Sequence, residues 1–544
     1  MTKLADPLAA CRADSSGKAC RDFYAAARNP YYILDHASLT QTSGWADAWT
    51  SQPSAYAVAA AHAGDVAAAV NFAREHHLRV VVKGAGHSYQ GTSSAPDSLL
   101  VWTHPLDDIT LHEAFVPKGC AGSMAPQPAV SVGAGQIWGH TYDAVTTNGG
   151  RYVQGGGCLT VGVAGLVSSG GFGSFSKQFG LAAAGLLEAE VVMADGNIRT
   201  VNASNDPDLF WALKGGGGGS FGVITRLTLR TRELPALFGM VNATIEATSD
   251  AAYRRLIARF VDFYSGTLFN PHWGETVHFR DGKALQVSML CQGLDQAQID
   301  GAWKPFFDFV QMSPNDFVMT KPPQIKAFPA RMLWNPAVLR KLPGMVVADS
   351  RPNAPLDNIV FAGDAEQAGQ YLHGYASAWL PASLLAADRR KALVAMLFSA
   401  SRHWDFALHF NKGLAGAPAT DIVAARDTAT NPQVLDAFAL AITGSAGAPP
   451  FPGMPGPAPD PAAARRDARA NALVADEWHK LVPDAGSYVS ESDYFMRDWQ
   501  SAFWGSNYAR LLKVKQRYDP DGLFTVHHGV GSEAWSADGF TRIA

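Results

Sequence analysis

Glycine-rich backbone constrains this chain more than any other feature. In GGGCLTVGVAGLVSSGGFGSFSKQFG (155–180), glycines alternate with small and apolar residues at spacings that suit neither a helix nor a regular strand. Without a Cβ, a backbone can turn sharply or lie directly against a neighbour. Val161, Val163, Leu166 and Val167 give the segment too much apolar character for a disordered linker. It is expected to lie against a flat or extended ligand. Cys158 stands at its head, behind three glycines. On spacing alone a cysteine there is a small buried residue, with redox and covalent-attachment roles left open.

Two further glycine turns belong to the same half of the chain. GAGHSYQG (84–91) follows the β-branched run LRVVVKG, and GGGGGSFGVIT (215–225) leads into another strand-like run. Backbone N–H groups in such turns can point together at an anion. No G-x-x-x-x-G-K-[ST] occurs, which excludes an ATP-type P-loop. A dinucleotide fingerprint is not clean either, because His87 and Ser88 fill its variable places and no long helix follows. A tight surface turn with an incidental His is the plain alternative for 84–91. Three cradles together point to a large cofactor with a pyrophosphate and an aromatic system.

Composition narrows the partners. With 544 residues and 47% hydrophobic content, the chain is long enough for two or more domains with sizeable cores. A net charge of −4 without a Lys/Arg run argues against nucleic acid and anionic membrane. No apolar window approaches the roughly 18–20 residues of a membrane span. The N-terminal residues lack the apolar core of a secretory signal, and the compartment stays open. Five cysteines form no disulfide framework, although Cys11 and Cys20 are placed to pair with each other. No CxxC or HExxH spacing suggests a metal.

The remaining pattern is mixed α and β. GDVAAAVNFAREHH reads as a helix with Asp65 as N-cap and Val66, Val70 and Phe72 on or near one apolar face. LLEAEVVMADGNIRTV reads as a hairpin turning at Asp195-Gly196. Past Leu234, HWGETVHF, ALQVSMLCQ and WDFALHFN alternate like strands of a second sheet, with RRLIARFVDFYSG as a helix between elements. Alternation would put Asp405, His409 and Asn411 on one face of such a strand. The Pro-rich stretch from Gly444 to Arg466 is expected to be a loop, and NYARLLKVKQRY a helix stopped by Asp-Pro-Asp-Gly.

Taken together, VVKGAGHSYQGTS, RYVQGGGCLTVGVAGLVSSGGFG, DLFWALKGGGGGSFGVIT and NYARLLKVKQRYDPDGLF closely resemble the vanillyl-alcohol oxidase superfamily. The berberine-bridge-enzyme-like and oligosaccharide-oxidase branch fits best. The resemblance covers about residues 50–232 and 477–533 and weakens between them. It implies a two-domain α+β flavoprotein, with residues 1–235 and 476–544 forming the FAD-binding domain. Residues 236–475 would form a substrate domain whose antiparallel sheet covers the flavin.

It also implies FAD bonded twice, to His87 of the G-H-S motif and to Cys158 of the G-G-x-C-x-T-V-G motif. Lys83, Gly84, Ala85, Gly86 and Ser88 would surround the cofactor from the first turn. Gly157, Thr160, Val161, Gly162 and Gly165 would do so from the second, with Gly170, Gly171 and Gly173 beyond them. Gly222, Val223 and Asn507 complete the set. Val161 matches a small gatekeeper position associated with O2 access. Berberine bridge enzymes carry a His eight residues after the cysteine, where this chain has Leu166.

SYVSE (487–491) resembles the family's Tyr-x-Asn element with Ser490 in the Asn place, which makes Tyr488 the candidate base and Glu491 its possible helper. His409 is a further candidate on the substrate side, and His527 and His528 stand where the chain passes the flavin. The expected reaction is oxidation of a CH–OH group in an alcohol or carbohydrate-like small molecule, with O2 reduced to H2O2, by a monomer without a metal. A dehydrogenase with another acceptor and an oxidative tailoring enzyme are the alternatives.

Overall fold

A computed structural model describes residues 1–448 and 460–543. Near the N-terminus, strands Tyr56–Ala59, Ser98–Trp102 and Arg79–Lys83 pair in parallel, and Thr2–Lys3 adds an antiparallel edge. Helix Ala63–Glu75 packs Val66, Ala69, Val70 and Ala73 onto this small sheet. Its N-cap is His62, not Asp65. Asp65 sits at the third helical position and returns a hydrogen bond to the cap backbone. Phe72 points outward instead of joining the core, at 38% exposure.

A second, antiparallel sheet runs Ile198–Asn202, Leu186–Val192, Val223–Glu233, Gln127–Gly133, Ile109–Phe115, with Arg151–Val153 also on Val223–Glu233. The hairpin at Asp195-Gly196 is its edge, and Gly196 takes the positive φ (+78°) that the turn requires.

The largest sheet is built mainly from the middle of the chain. Leu237–Ala247, Ala284–Gln292, Trp273–Phe279, Phe406–His409, Ala437–Gly447 and Gln370–Pro381 follow one another across it. Thr42–Trp45, from the N-terminal part, extends it by pairing in parallel with Gln370–Pro381, and Trp49–Thr50 forms the edge beyond. Alternation decides its two faces. Val241, Ala243 and Ile245, with Val287, Met289 and Cys291, are buried in a common apolar core with helices Asp250–Phe263, Gln296–Gln311, Arg390–Ala400 and Pro461–Leu481. Met240, Asn242, Ser288 and Leu290 face the other way, into a cavity.

Three further expectations change here. The Pro-rich stretch is not loop throughout: Gly444–Gly447 finishes a strand and Pro461 opens a 21-residue helix capped by Asp460. Residues 449–459 of that stretch lie outside the described residues. Pro461–Leu481 also runs across 475/476, where a domain boundary was anticipated. Pro at the first helical turn costs no hydrogen bond, which is why a Pro-rich run can start a helix. Asp405, in turn, does not share a strand face with Asn411. The strand is only Phe406–His409; Asp405 pairs with Arg280 at 2.8 Å and Asn411 lies in the following 3-10 turn.

Cys11 and Cys20 are joined by a disulfide. Among the described residues no helix is long and apolar enough to cross a membrane, and no group of three or more His, Cys, Asp or Glu is placed to hold a metal ion.

Candidate active site

The three glycine cradles converge on one cavity of about 940 Å³. Strand Arg79–Lys83 delivers the first turn, whose Gly84, Ala85, Gly86, His87 and Ser88 line it. Gly86 holds φ +80°, a conformation costly for any residue with a Cβ. Gly157, Cys158, Val161 and Gly162 come from the connection between Arg151–Val153 and helix Val163–Ser168, and Gly165 from the first turn of that helix. Gly217, Gly218, Gly219 and Gly222 arrive just before strand Val223–Glu233. A Cβ built on Gly157, Gly165 or Gly218 would meet no atom of the described residues within 4 Å. That open space lets a ring or a phosphate approach the backbone itself, as a dinucleotide cofactor requires.

His87 and Cys158 meet through one hydroxyl. Thr160 Oγ1 lies 3.0 Å from His87 Nε2 and 3.5 Å from Cys158 Sγ. Engaging Nε2 leaves Nδ1 as the ring nitrogen available for chemistry. Burial lowers the His87 pKa to about 4, so the imidazole is neutral and keeps a free lone pair. Burial and the charge of Asp364 raise the Cys158 thiol to about 12.

The opposite wall combines the large sheet with the C-terminal segment. Asn242, Glu275, His409, Asn411, Lys412, Tyr488 and Glu491 all line it. Glu275 holds φ +69° within strand Trp273–Phe279, a strained state for a non-glycine residue, held by its pairing with Met289 of the neighbouring strand. Burial raises its carboxyl, while a Ser174 hydrogen bond and the Lys412 charge oppose the shift. Lys412 Nζ reaches both Glu491 oxygens at 2.5 Å. Burial, then Lys412 and His278, hold His409 well below the ordinary histidine range and therefore neutral. Asn411 donates to Gly173 O at 3.3 Å, and its buried Oδ1 has no partner among the described residues.

Tyr488 is buried, edge-on to Phe172 at 5.0 Å. Burial and the Glu491 charge push its phenol up, against hydrogen bonds from the Ser490 side chain and the Gly171 backbone that favour the anion. Glu491 therefore does not acidify Tyr488; it raises it.

Other anticipated residues stand off the cavity wall. Lys83 is buried and donates to the carbonyls of His36, Ala37 and Leu39 at 2.6–3.1 Å, clamping the N-terminal turn. Thr160 stands behind His87 and Cys158. Gly170, Gly171 and Gly173 pack against Thr430, Leu166 and the Gly155 carbonyl respectively. Val223 is buried in the core, and Asn507 donates to Thr430 O at 2.8 Å. His527 and His528 do line the cavity, stacked with ring centroids 3.8 Å apart.

Glu275, Asp364 and Lys412 were not foreseen. Glu275 is a lone acid in an otherwise apolar and polar-neutral strand pattern, which was the available signal. Asp364, in the 3-10 turn Ala362–Gln367, has none.

Comparison with known proteins gives the family and the fold. The chain matches the FAD binding domain family over residues 54–202 and the berberine and berberine-like family over 487–531. It is 30% identical over 511 residues to an FAD-linked oxidoreductase of Penicillium thymicola, covering 90% of this chain and 78% of that one. A VAO-type flavoprotein oxidase of Thermothelomyces thermophilus is 28% identical over 513 residues, with 90% and 78% coverage. Among solved structures, a VAO-type flavoprotein from Myceliophthora thermophila superposes with TM-score 0.77 at 24% identity, covering 97% of this chain and 91% of that one. A glucooligosaccharide oxidase from Acremonium strictum, described with a 6-S-cysteinyl, 8α-N1-histidyl FAD, gives 0.66 at 19%, with 88% and 92% coverage.

Proposed function

Because the chain belongs to the FAD-linked oxidoreductases of the vanillyl-alcohol-oxidase and berberine-bridge-like family, we propose that it is an oxidase of CH–OH groups carrying FAD on His87 and Cys158. The observation that carries this reading is the shared wall on which those two side chains meet through Thr160, with His87 Nδ1 left free. In biochemical numbering Nδ1 is the N1 of an 8α-N1-histidyl bond, the linkage described for the Acremonium enzyme. When bound, FAD supplies the hydride-accepting ring and the route by which electrons reach O2.

The chain supplies position and proton transfer. A substrate held between the cradles and the sheet would face Tyr488, whose phenol is protonated at rest. It can take a hydroxyl proton only while passing its own onward, and Glu491, steadied by Lys412, is the receiving carboxylate. Neutral His409 and the unpartnered Asn411 Oδ1 offer hydrogen bonds that orient a hydroxyl-bearing substrate. Val161, on the cradle wall, leaves the small side chain expected where oxygen must enter.

One feature favours a second reading, oxidative tailoring of a larger apolar molecule. An arm of the cavity is lined by Phe328, Met332, Leu333, Val338, Leu342 and Met345, with Leu342 and Met345 exposed at 44% and 37%. A saccharide finds few partners there.

The test is a panel of sugars, aliphatic and aromatic alcohols and polycyclic metabolites, read by H2O2 release and product mass. Acid-precipitated protein is expected to stay yellow. Flavin released into the supernatant would overturn the covalent assignment, slow reoxidation of reduced enzyme by O2 would overturn the oxidase reading, and a cyclised product would select the tailoring reading.

A further inference from the structure

The turn that bears His87 makes a second contact across the cavity, from a residue that neither attachment nor proton transfer uses. Three positions on, Gln90 is buried at 8% exposure and lines the wall. Its Nε2 donates to Ser492 O at 3.0 Å and to Ser492 Oγ at 3.1 Å. A carbonyl can meet only a donor, so the NH2 end of the amide is the end that faces Ser492. Gln90 Oε1 is buried and has no partner among the described residues. An unpaired buried oxygen costs stability. An apolar side chain of similar size would avoid that cost, so packing alone does not account for the amide.

Both ends of the contact are anchored. On the His87 side, the Trp49 ring lies 2.7 Å from where Gly91 would carry a Cβ, and Trp49 Nε1 donates to Tyr89 O at 3.1 Å. Thr92 N donates to Ser88 Oγ at 3.0 Å. On the far side, Ser492 ends the turn that presents Tyr488 and Glu491. Glu491 N donates to Tyr488 O at 2.9 Å, and Ser492 Oγ donates to Val489 O at 3.3 Å. Ser377 Oγ accepts from Tyr488 N at 3.2 Å, which ties the start of this turn to strand Gln370–Pro381. Gln90 ties its end. Among the described residues, no other hydrogen bond joins 84–92 to 486–495.

We propose that Gln90 is a positioning residue, holding the turn of Tyr488 and Glu491 in register with the ring that His87 carries. The inference rests on the functional reading above, in which Tyr488 passes a proton to Glu491 and His87 bears the flavin. Ser377 and Lys412 fix the two proton-handling residues relative to the large sheet. Gln90 alone fixes them relative to the cofactor-bearing turn. Without it the flavin stays attached and substrate still binds, but the phenol and carboxylate drift from the reacting hydroxyl. A displacement of about 1 Å is enough to slow such a reaction about 10²-fold.

The experiment compares wild type, Gln90→Leu, Gln90→Glu and Ser492→Ala as purified holoprotein. Amide hydrogen exchange over residues 487–495, acid-stable flavin, and kcat and KM across pH are measured, with the panel alcohol that wild type oxidises fastest as substrate. In Gln90→Leu, exchange should quicken on the order of tenfold within 487–495 and nowhere else. Its flavin should stay attached, with kcat down on the order of 10²-fold and KM little changed. Ser492→Ala keeps the carbonyl acceptor and should lose less. In Gln90→Glu the carboxyl can donate to Ser492 O only when protonated, so kcat relative to wild type should rise as pH falls. That variant keeps the test readable if Gln90→Leu does not accumulate, and a purely structural role would leave its ratio flat. Wild-type kcat in Gln90→Leu, unchanged exchange over 487–495, a flat ratio in Gln90→Glu, or flavin lost from Gln90→Leu each overturns the proposal alone. A wild type that oxidises no alcohol of the panel overturns the functional reading and the proposal with it.

Discussion

Thr160 shows how much one hydroxyl can organise. It sits behind the cavity wall, yet it fixes the His87 ring through Nε2 and reaches the Cys158 sulfur as well. Thr160→Val keeps the shape and removes the hydroxyl. The expected stability cost is about 1 kcal/mol, small beside the effect on attachment, because an untethered imidazole can turn Nδ1 away. Less acid-stable flavin from an equally folded variant, judged by thermal melting, is the predicted result; wild-type retention would remove Thr160 from this role. The residue is legible in the sequence only as part of a motif, since nothing local says which ring nitrogen it engages. Tyr488 illustrates the reverse case. Its place on the wall could be anticipated, but the sign of Glu491's influence depends on charge and burial that only folding brings together.

At the scale of elements, the short helix Ser176–Phe179 pins the long glycine segment to the large sheet. Lys177 is fully buried, and its Nζ donates to Gly413 O and Ala415 O at 2.8 Å and to Phe438 O at 3.4 Å. Lys177→Met would leave these carbonyls without that donor, at a cost of roughly 2–5 kcal/mol. Denaturant unfolding measures that loss, and a change below about 1 kcal/mol would show that water replaces the ammonium. Most elements were readable from period and punctuation: the hairpin at Asp195-Gly196, the helix Tyr508–Tyr518 and the alternating strands of the large sheet all depend on neighbours in sequence. Apart from the outward-facing Phe72, the errors among elements occurred at their ends. His62 displaced Asp65 as a cap, and a proline run opened a helix, because competing local signals there differ by only about 1 kcal/mol.

For the whole molecule, the N-terminal segment is stitched to residues more than 300 positions away. Buried Asp349 accepts from Asn29 Nδ2 at 2.7 Å, Arg351 Nη2 at 2.7 Å and Asn358 Nδ2 at 3.0 Å, and Arg351 also reaches Asp35 at 2.8 Å. Against the cost of burial, these partners hold the Asp349 carboxyl well below its ordinary range. A depressed carboxyl adds stability that is complete above its unfolded pKa of about 3.9 and is lost as pH falls further, toward the folded value. Asp349→Asn should therefore cost about 1–3 kcal/mol at pH 7, with the difference from wild type shrinking in melts near pH 3. An equal difference at both values would rule out the charge as its source.

The same contrast divides what can be read without a structure. The sequence by itself determined the glycine cradles and the mixed α and β class, because turn geometry and strand or helix period are set within one to two dozen residues; His87 and Cys158 were singled out only through the family resemblance of the motifs they stand in. Tertiary structure alone decided which polar groups face the cavity. Glu275, Asp364, Lys412 and Glu491 come from four separate stretches and meet only through strand pairing and packing across the chain. Their charges act on one another only once water is excluded between them, and no local pattern carries that information.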